Sequence, residues 1–350
     1  MMNEWTESVS GNPLPWLLER DAQDPGVRCF ALQDLLDLPV DDPSVVEAQQ
    51  AVMSTGPVPA ILDAQDAEGY WVKPGWGYSP KYRGTVWSII MLAQLGADGE
   101  DARVRKACEY LLEHATSTYG SFSFMPNRSP AGALYCLGGN LCAALLDFGY
   151  LGDERLTKAL EWEARAITGE GIAPATEHDS PLHYYRSGTC GPCFCCSANN
   201  KKPCAWGAAK VMLALSKLPT EAHTPLIRRA IETGIQFLLS RDPAVADYPT
   251  AEDTKPSRSW FRFGYPVFYV TDVLQNLEVL VRLGCGGDSR LRNALKLLLD
   301  KQDELGRWKM AYSYNGKTWV DIEQKGKPSK WVTLRALRVL KGAGQLVREL

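Results

Sequence analysis

Hydrophobic positions recur along the chain in paired helical runs, and the two members of each pair differ in how much of their surface is apolar. Six first runs are apolar on most faces and cover roughly residues 27–38, 85–95, 140–148, 206–218, 271–283 and 330–340. Stops follow at Pro39, Gly96, Gly149, Pro219 and Gly284, and the last run continues into the C-terminal tail. The second runs are amphipathic. Val104, Cys108, Leu111 and Leu112 keep i, i+4, i+7, i+8 spacing. Ile227, Ile231, Gly234 and Ile235 repeat it, as do Leu291, Leu295, Leu298 and Leu299. Asp42-Pro43 and Thr224-Pro225 pair an N-cap with a first-turn proline and fix two helix starts. A helix apolar all round is covered all round, whereas one with a charged face is half wet. The pairs therefore predict two concentric layers: an all-α, α/α toroid of about six helix hairpins in one domain, 1–350.

Between the hairpins lie long loops rich in aromatics, such as Trp71, Trp76 and Tyr82, or Trp308, Tyr312, Tyr314 and Trp319. Two of them open on nearly one phrase: Gln65-Asp-Ala-Glu-Gly69-Tyr-Trp71 and Gln302-Asp-Glu-Leu-Gly306-Arg-Trp308. The glutamine is placed to cap the outer helix, the glycine to take the turn, and the tryptophan to pack back on the neighbouring unit. Tyr119-Gly120-Ser121-Phe122 is a worn copy.

Gln-x-x-x-Gly-x-Trp after an amphipathic helix resembles the QW repeat of the squalene cyclase and protein prenyltransferase β-subunit superfamily. Two further phrases, residues 263–272 and 329–337, resemble bacterial prenyltransferase/squalene-oxidase repeat proteins. The resemblance implies inner helices around a central cavity for an apolar ligand, an isoprenoid among the candidates. Two family signatures are missing. No Asp-x-Asp-Asp acid motif is present, since Asp41-Asp42 lies in a capping turn, and no histidine stands where the prenyltransferases hold zinc.

Composition changes this picture little. Of 350 residues, 45% are hydrophobic and 23% charged, with net charge −3, which suits a cored globular protein and gives nucleic acid no basic field. No apolar run approaches the ~20 residues of a membrane span. The polar, acidic N-terminus does not read as a secretory signal, so a cytoplasmic location is expected.

Cysteine usage matters more. Cys190, Cys193, Cys195, Cys196 and Cys204 crowd into a loop, 168–205, inserted between repeats. Cys190-Gly-Pro-Cys193 has the spacing of a zinc knuckle. Zinc held by Cys190, Cys193, Cys196 and Cys204 is the expected metal site, ahead of an iron–sulfur cluster or a Cys-Gly-Pro-Cys redox pair. Which of Cys195 and Cys196 is a ligand stays open, as does whether Cys136, His178 or His183 joins. Four protein thiolates would make the metal structural, whereas an open position would make it catalytic.

Asp272 and Lys210 are the expected acid–base residues, and Trp87, Asn140, Trp206 and Tyr269 the expected cavity lining. Trp87, Asn140, Lys210 and Gln275 share one register on successive inner helices, so they form a column that faces either the cavity or a polar layer between helices. Arg335, Arg338 and Lys341 read as a solvated basic stripe. Three functions follow as expectations. The first is a terpenoid-type transferase or cyclase with zinc beside its cavity. The second is a non-catalytic lipid- or peptide-binding protein with structural zinc. The third is a zinc-dependent thioether-forming enzyme like the lanthionine cyclases, which share the toroid.

Overall fold

The computed structural model describes residues 8–171, 187–252 and 255–348. Among these, six helices stand around a common centre: α2 (Pro25–Phe30, continued over Ala31–Leu35), α5 (Thr85–Leu95), α7 (Tyr135–Asp147), α9 (Ala205–Ser216), α11 (Val273–Leu280, continued over Val281–Cys285) and α13 (Lys330–Arg348). From α5 onward each packs on the next, and α13 packs on α2. The last gap closes at Gly26, where a Cβ would stand 2.3 Å from the Leu95 carbonyl oxygen of α5. The outer helices α3 (Pro43–Ser54), α6 (Ala102–His114), α8 (Glu154–Thr168), α10 (Pro225–Leu238) and α12 (Arg292–Leu299) each back the inner helix before them. A short α4 (Pro57–Asp63) follows α3, and α1 (Leu14–Leu17) packs on α13, so the N-terminal end of the chain completes the sixth unit. The fold is the expected all-α toroid. No helix among the described residues is long and apolar enough to cross a membrane.

Local chemistry sets the outer helix starts. Asp42, Asp101, Asp153 and Thr224 each accept a backbone N–H of the first turn. At Asp101 and Asp153 an arginine two residues later folds back on the same carboxylate (Arg103 at 3.0 Å, Arg155 at 2.6 Å), and Asp288 and Arg290 repeat this at the 3-10 turn before α12. The Gln/Gly/Trp phrases fold alike. Asp66 N–H donates to Tyr70 O and Asp303 N–H to Arg307 O, around Gly69 and Gly306, both with positive φ. Each indole donates at 2.8 Å to the end of the preceding helix, Trp71 to Ile61 O and Trp308 to Leu298 O. Each tryptophan's N–H meets a threonine of the next inner helix, Thr85 or Thr333. At the worn copy Ser117 N–H donates to Ser121 O around Gly120. The two tryptophan copies thus tie one hairpin to the next.

Two expectations need correction. The third inner helix begins at Tyr135, not near residue 140, and includes Gly138 and Gly139. A Cβ on Gly139 would stand 2.4 Å from the Lys210 backbone of α9, so the missing side chain is what lets these two helices touch. The basic stripe is not a solvated face. Arg335 is buried between Asp272 (3.2 Å) and Glu278 (2.7 Å), and Arg338 and Lys341 pair with Asp34 and Asp37 of the first unit. Those charges join the last helix to its neighbours, so their partners come from distant sequence.

Candidate functional site

The irregular segment 264–271, bent at Tyr265-Pro266 and Phe268-Tyr269, lies against the inner helices and brings backbone carbonyls into a buried space. Such carbonyls need donors. Three inner helices supply them. Gln94 of α5 donates to Val267 O (2.7 Å), Asn140 of α7 to Phe268 O (3.1 Å) and Lys210 of α9 to Val270 O (3.3 Å). Gln94 also accepts the Val267 N–H at 2.7 Å, and Lys210 reaches Gln275 of α11. The shared register of Asn140, Lys210 and Gln275 is therefore a polar layer that anchors the threaded segment. Lys210 is fully buried, and burial lowers its pKa to about 7.

Asp272 lies at the end of the same segment and caps α11. It accepts the Gln275 N–H at 2.7 Å, the Gly264 N–H at 3.3 Å and the Arg335 guanidinium. Neither Asp272 nor Lys210 lines the large cavity.

That cavity, about 690 Å³, lies against the N-terminal ends of α7 and α9, the first turns of α5, and the loops around them. Trp87, Asn140, Trp206 and Tyr269 all line it, joined by Trp260 of an aromatic loop and by Tyr78 and Tyr248, which no sequence pattern marked. These side chains hold one another in place. The Trp87 indole donates to Tyr78 O at 2.7 Å, Tyr82 and Tyr269 hydroxyls meet at 3.0 Å, and the Tyr248 ring packs tilted against Trp260. Lys81, Glu252 and Lys255 are exposed at the rim, with Lys81 over the Tyr269 ring. Among the described lining residues Glu252 is the sole carboxylate.

One wall is the cysteine loop. Its described part forms a three-stranded antiparallel sheet, β1 (Cys190–Gly191), β2 (Cys195–Cys196) and β3 (Lys202–Pro203). Phe194 pins the sheet: the ring is fully buried, stacks on Phe237 and packs on Tyr135. Backbone bonds add to this, from Cys193 N–H to Ile167 O and from Cys204 N–H to Phe194 O.

The zinc expectation meets a different arrangement. Cys193 is exposed at the turn, whereas Cys190 is buried with its thiol on Ala133 O at 3.2 Å and beside Ser187. Among the described residues no group of three or more His, Cys, Asp or Glu is placed to hold a metal ion. Cys193 thus lies apart from the buried Cys190. His178 and His183 lie outside the described residues.

The structure places three of the four expected cysteines near one another, with Cys136 rather than Cys193 beside them. Cys136, Cys196 and Cys204 line the cavity, with Cys190 directly opposite Cys196 on β1. The Cys204 S–H, together with the N–H groups of Ala198 and Asn199, lowers the Cys196 pKa, while the shared proton and burial raise that of Cys204. Burial raises Cys136 to about 11 and pushes Cys190 well up. Behind them Glu163, buried on α8 and raised by burial, lies against Gly138. Its Oε2 has no hydrogen-bond partner among the described residues. Sequence spacing alone could not separate Cys196 from Cys195. The period of two along β2 does, once the strand is known.

No protein-family model and no curated protein matches the chain. Solved structures similar to it include the type II terpene cyclase MstE from Scytonema with geranylgeranyl dihydroxybenzoate, 15% identical over 83% of this chain and 95% of that one, TM-score 0.31. A protein from Actinoplanes is 17% identical over 92% and 90%, TM-score 0.44. A family 105 glycoside hydrolase from C. acetobutylicum is 12% identical over 93% of each, TM-score 0.46.

Proposed function

We propose that this toroid binds an apolar ligand of isoprenoid type in the cavity beside α5, α7 and α9. The observation that carries the reading is the cavity itself: about 690 Å³, walled by Tyr78, Trp87, Trp206, Tyr248, Trp260 and Tyr269, with charged groups at its rim. That volume falls within the span of small-molecule pockets, and mostly apolar walls with a few polar groups suit such ligands. Aromatic faces would favour an apolar chain by burial and a developing cation by their quadrupole. The ends of α7 and α9 that border the cavity are N-termini, whose field favours a polar or anionic head near Lys81 and Lys255.

A specific observation favours binding over alkene protonation as the activity. The cavity has no buried carboxylic acid among its described lining residues, and Asp272 is turned to Arg335 instead. The zinc-dependent thioether reading needs a gathered donor set, which the described residues do not supply.

Native mass spectrometry of protein purified from its own source, with titration of geranylgeraniol followed by tryptophan fluorescence, tests the proposal. Saturable binding is expected, weakened about tenfold in Trp206→Ala, since a lost aromatic contact of ~1.4 kcal/mol is one decade in Kd. Absence of saturable binding, or equal affinity in that variant, would overturn it.

A further inference from the structure

Exposed cations are partnered differently in different parts of the molecule. On the outer helices they pair with acids, as Arg155 does with Glu109 at 2.7 Å and Lys158 with Glu154 at 2.7 Å. Around the mouth of the large cavity they do not. Lys81, Arg83, Lys201, Lys255 and Lys317 are exposed, and none has a carboxylate partner among the described residues. Three of them lie over aromatic rings instead: Lys81 at 5.0 Å from the centre of Tyr269, Arg83 at 5.7 Å from Trp319 and Lys317 at 6.0 Å from Tyr82.

Those rings are continuous with the cavity wall. Tyr82 stacks on Tyr269 at 6.4 Å, the Trp319 indole donates to Arg83 O at 3.1 Å, and Arg83 donates to Lys317 O at 3.3 Å. Lys81 and Lys255 line the opening, and the Lys201 N–H donates to Cys196 O of the cysteine wall at 2.8 Å. The described exposed acids nearby are Glu252 on the rim and Asp321, whose carboxylate accepts the Gly316 N–H at 2.7 Å. The chain as a whole carries −3, so this face departs from the balance of the molecule. Like charges gathered on one rim repel one another, and an external anion relieves that repulsion.

The kind of anion follows from what the cations border. They flank the opening of a cavity walled by aromatic side chains. A soluble polyanion complements the charges but not the opening. An anionic bilayer complements both, with phosphates at its surface and hydrocarbon beneath. Amphipathic aromatic rings and the long stems of Lys and Arg sit stably at that boundary.

We propose that this face is a peripheral docking surface for an anionic phospholipid bilayer, with the cavity mouth laid against the headgroups. Each cation near such a surface strengthens binding about fivefold, so this cluster supports reversible attachment without any spanning helix. The docking surface stands on its own charges. One further step, passage of an apolar ligand from bilayer to cavity without crossing water, rests on the isoprenoid reading.

Sedimentation of the full chain with phosphatidylcholine vesicles, with and without about 30 mol% phosphatidylserine, tests the proposal. Binding is expected to the anionic vesicles alone, and it should fall at least about tenfold as salt rises from ~0.1 to ~0.5 M. Lys201→Gln/Lys317→Gln should bind about 25-fold more weakly, fivefold for each lost cation. Lys158→Gln/Lys296→Gln removes the same charge from the outer helices and should stay within about twofold of wild type. Equal sedimentation with neutral and anionic vesicles, equal loss in the two variants, or no sedimentation would each overturn the proposal. Tighter binding to polyglutamate or to a single-stranded oligonucleotide than to the vesicles would also overturn it, and would assign the face to an acidic protein or a nucleic acid. Geranylgeraniol titration of Lys201→Gln/Lys317→Gln should match wild type, so that failure of docking and failure of the ligand reading are told apart.

Discussion

Lys210 shows how a single residue's role depends on what faces it. Its sequence register marks a cation on an inner helix, and its side-chain nitrogen reaches Val270 O and Gln275. Burial lowers its folded pKa to about 7, below the ~10.4 of an unfolded lysine. Between those values the unfolded chain holds a proton that the folded chain has shed, so this group makes stability rise with pH from ~7 to ~10. Urea unfolding should therefore show the wild-type protein gaining roughly 3 kcal/mol between pH 7 and 9.5 relative to Lys210→Met, which has no such group. Parallel pH profiles for the two proteins would refute the assignment. Asp272 follows the same logic: a lone carboxylate in an apolar phrase proves to be a cap, and Arg335, 63 residues away, is its counter-charge.

At the scale of the element, contact between neighbouring inner helices is set by what is missing. Gly139 lets α7 lie on the α9 backbone, and Gly207 lies against Tyr135, with a Cβ there 2.9 Å from the tyrosine Cβ. Gly139→Ala should destabilise by about 1–3 kcal/mol, because overpacking against backbone outweighs the ~1 kcal/mol helix-propensity gain. Gly287 meets nothing within 4 Å and has no positive φ, so Gly287→Ala should stay within about 0.5 kcal/mol of wild type. Thermal or urea melts of the two variants separate close packing from propensity. The caps at Asp42 and Thr224 were legible in the sequence, as was the glycine turn before Trp71 and Trp308, because each acts over a few residues. The β1–β2–β3 sheet was not. Its strands are two residues each, and Phe194, Phe237 and Tyr135, not a strand pattern, hold it in place.

For the whole molecule, Trp331 is the point where first helix, last helix and central segment meet. Its ring stacks on Tyr265 at 4.3 Å and meets Phe30 edge-on, and its indole donates to Asp24 at 2.6 Å. Trp331→Ala should lose about 3–5 kcal/mol, the usual cost of removing a buried tryptophan. Hydrogen exchange should show protection falling together in residues 25–35 and 264–271, with Trp331→Phe retaining most of it. Loss confined to α13 would mean that the ring closes by other contacts.

Local periodicity and short-range capping determined the hairpins, their order and the two-layer architecture, because those forces act within a turn or two of the chain. Which polar side chains face a ligand was decided only when the ring closed. The Lys210–Gln275, Arg335–Asp272 and Trp331–Asp24 partners are 65, 63 and 307 residues apart, and no local pattern encodes such pairings. The same holds for the cysteines. Spacing named Cys190, Cys193, Cys196 and Cys204, whereas only the folded loop placed Cys193 at the exposed turn and Cys196 and Cys204 on the cavity wall with Cys136.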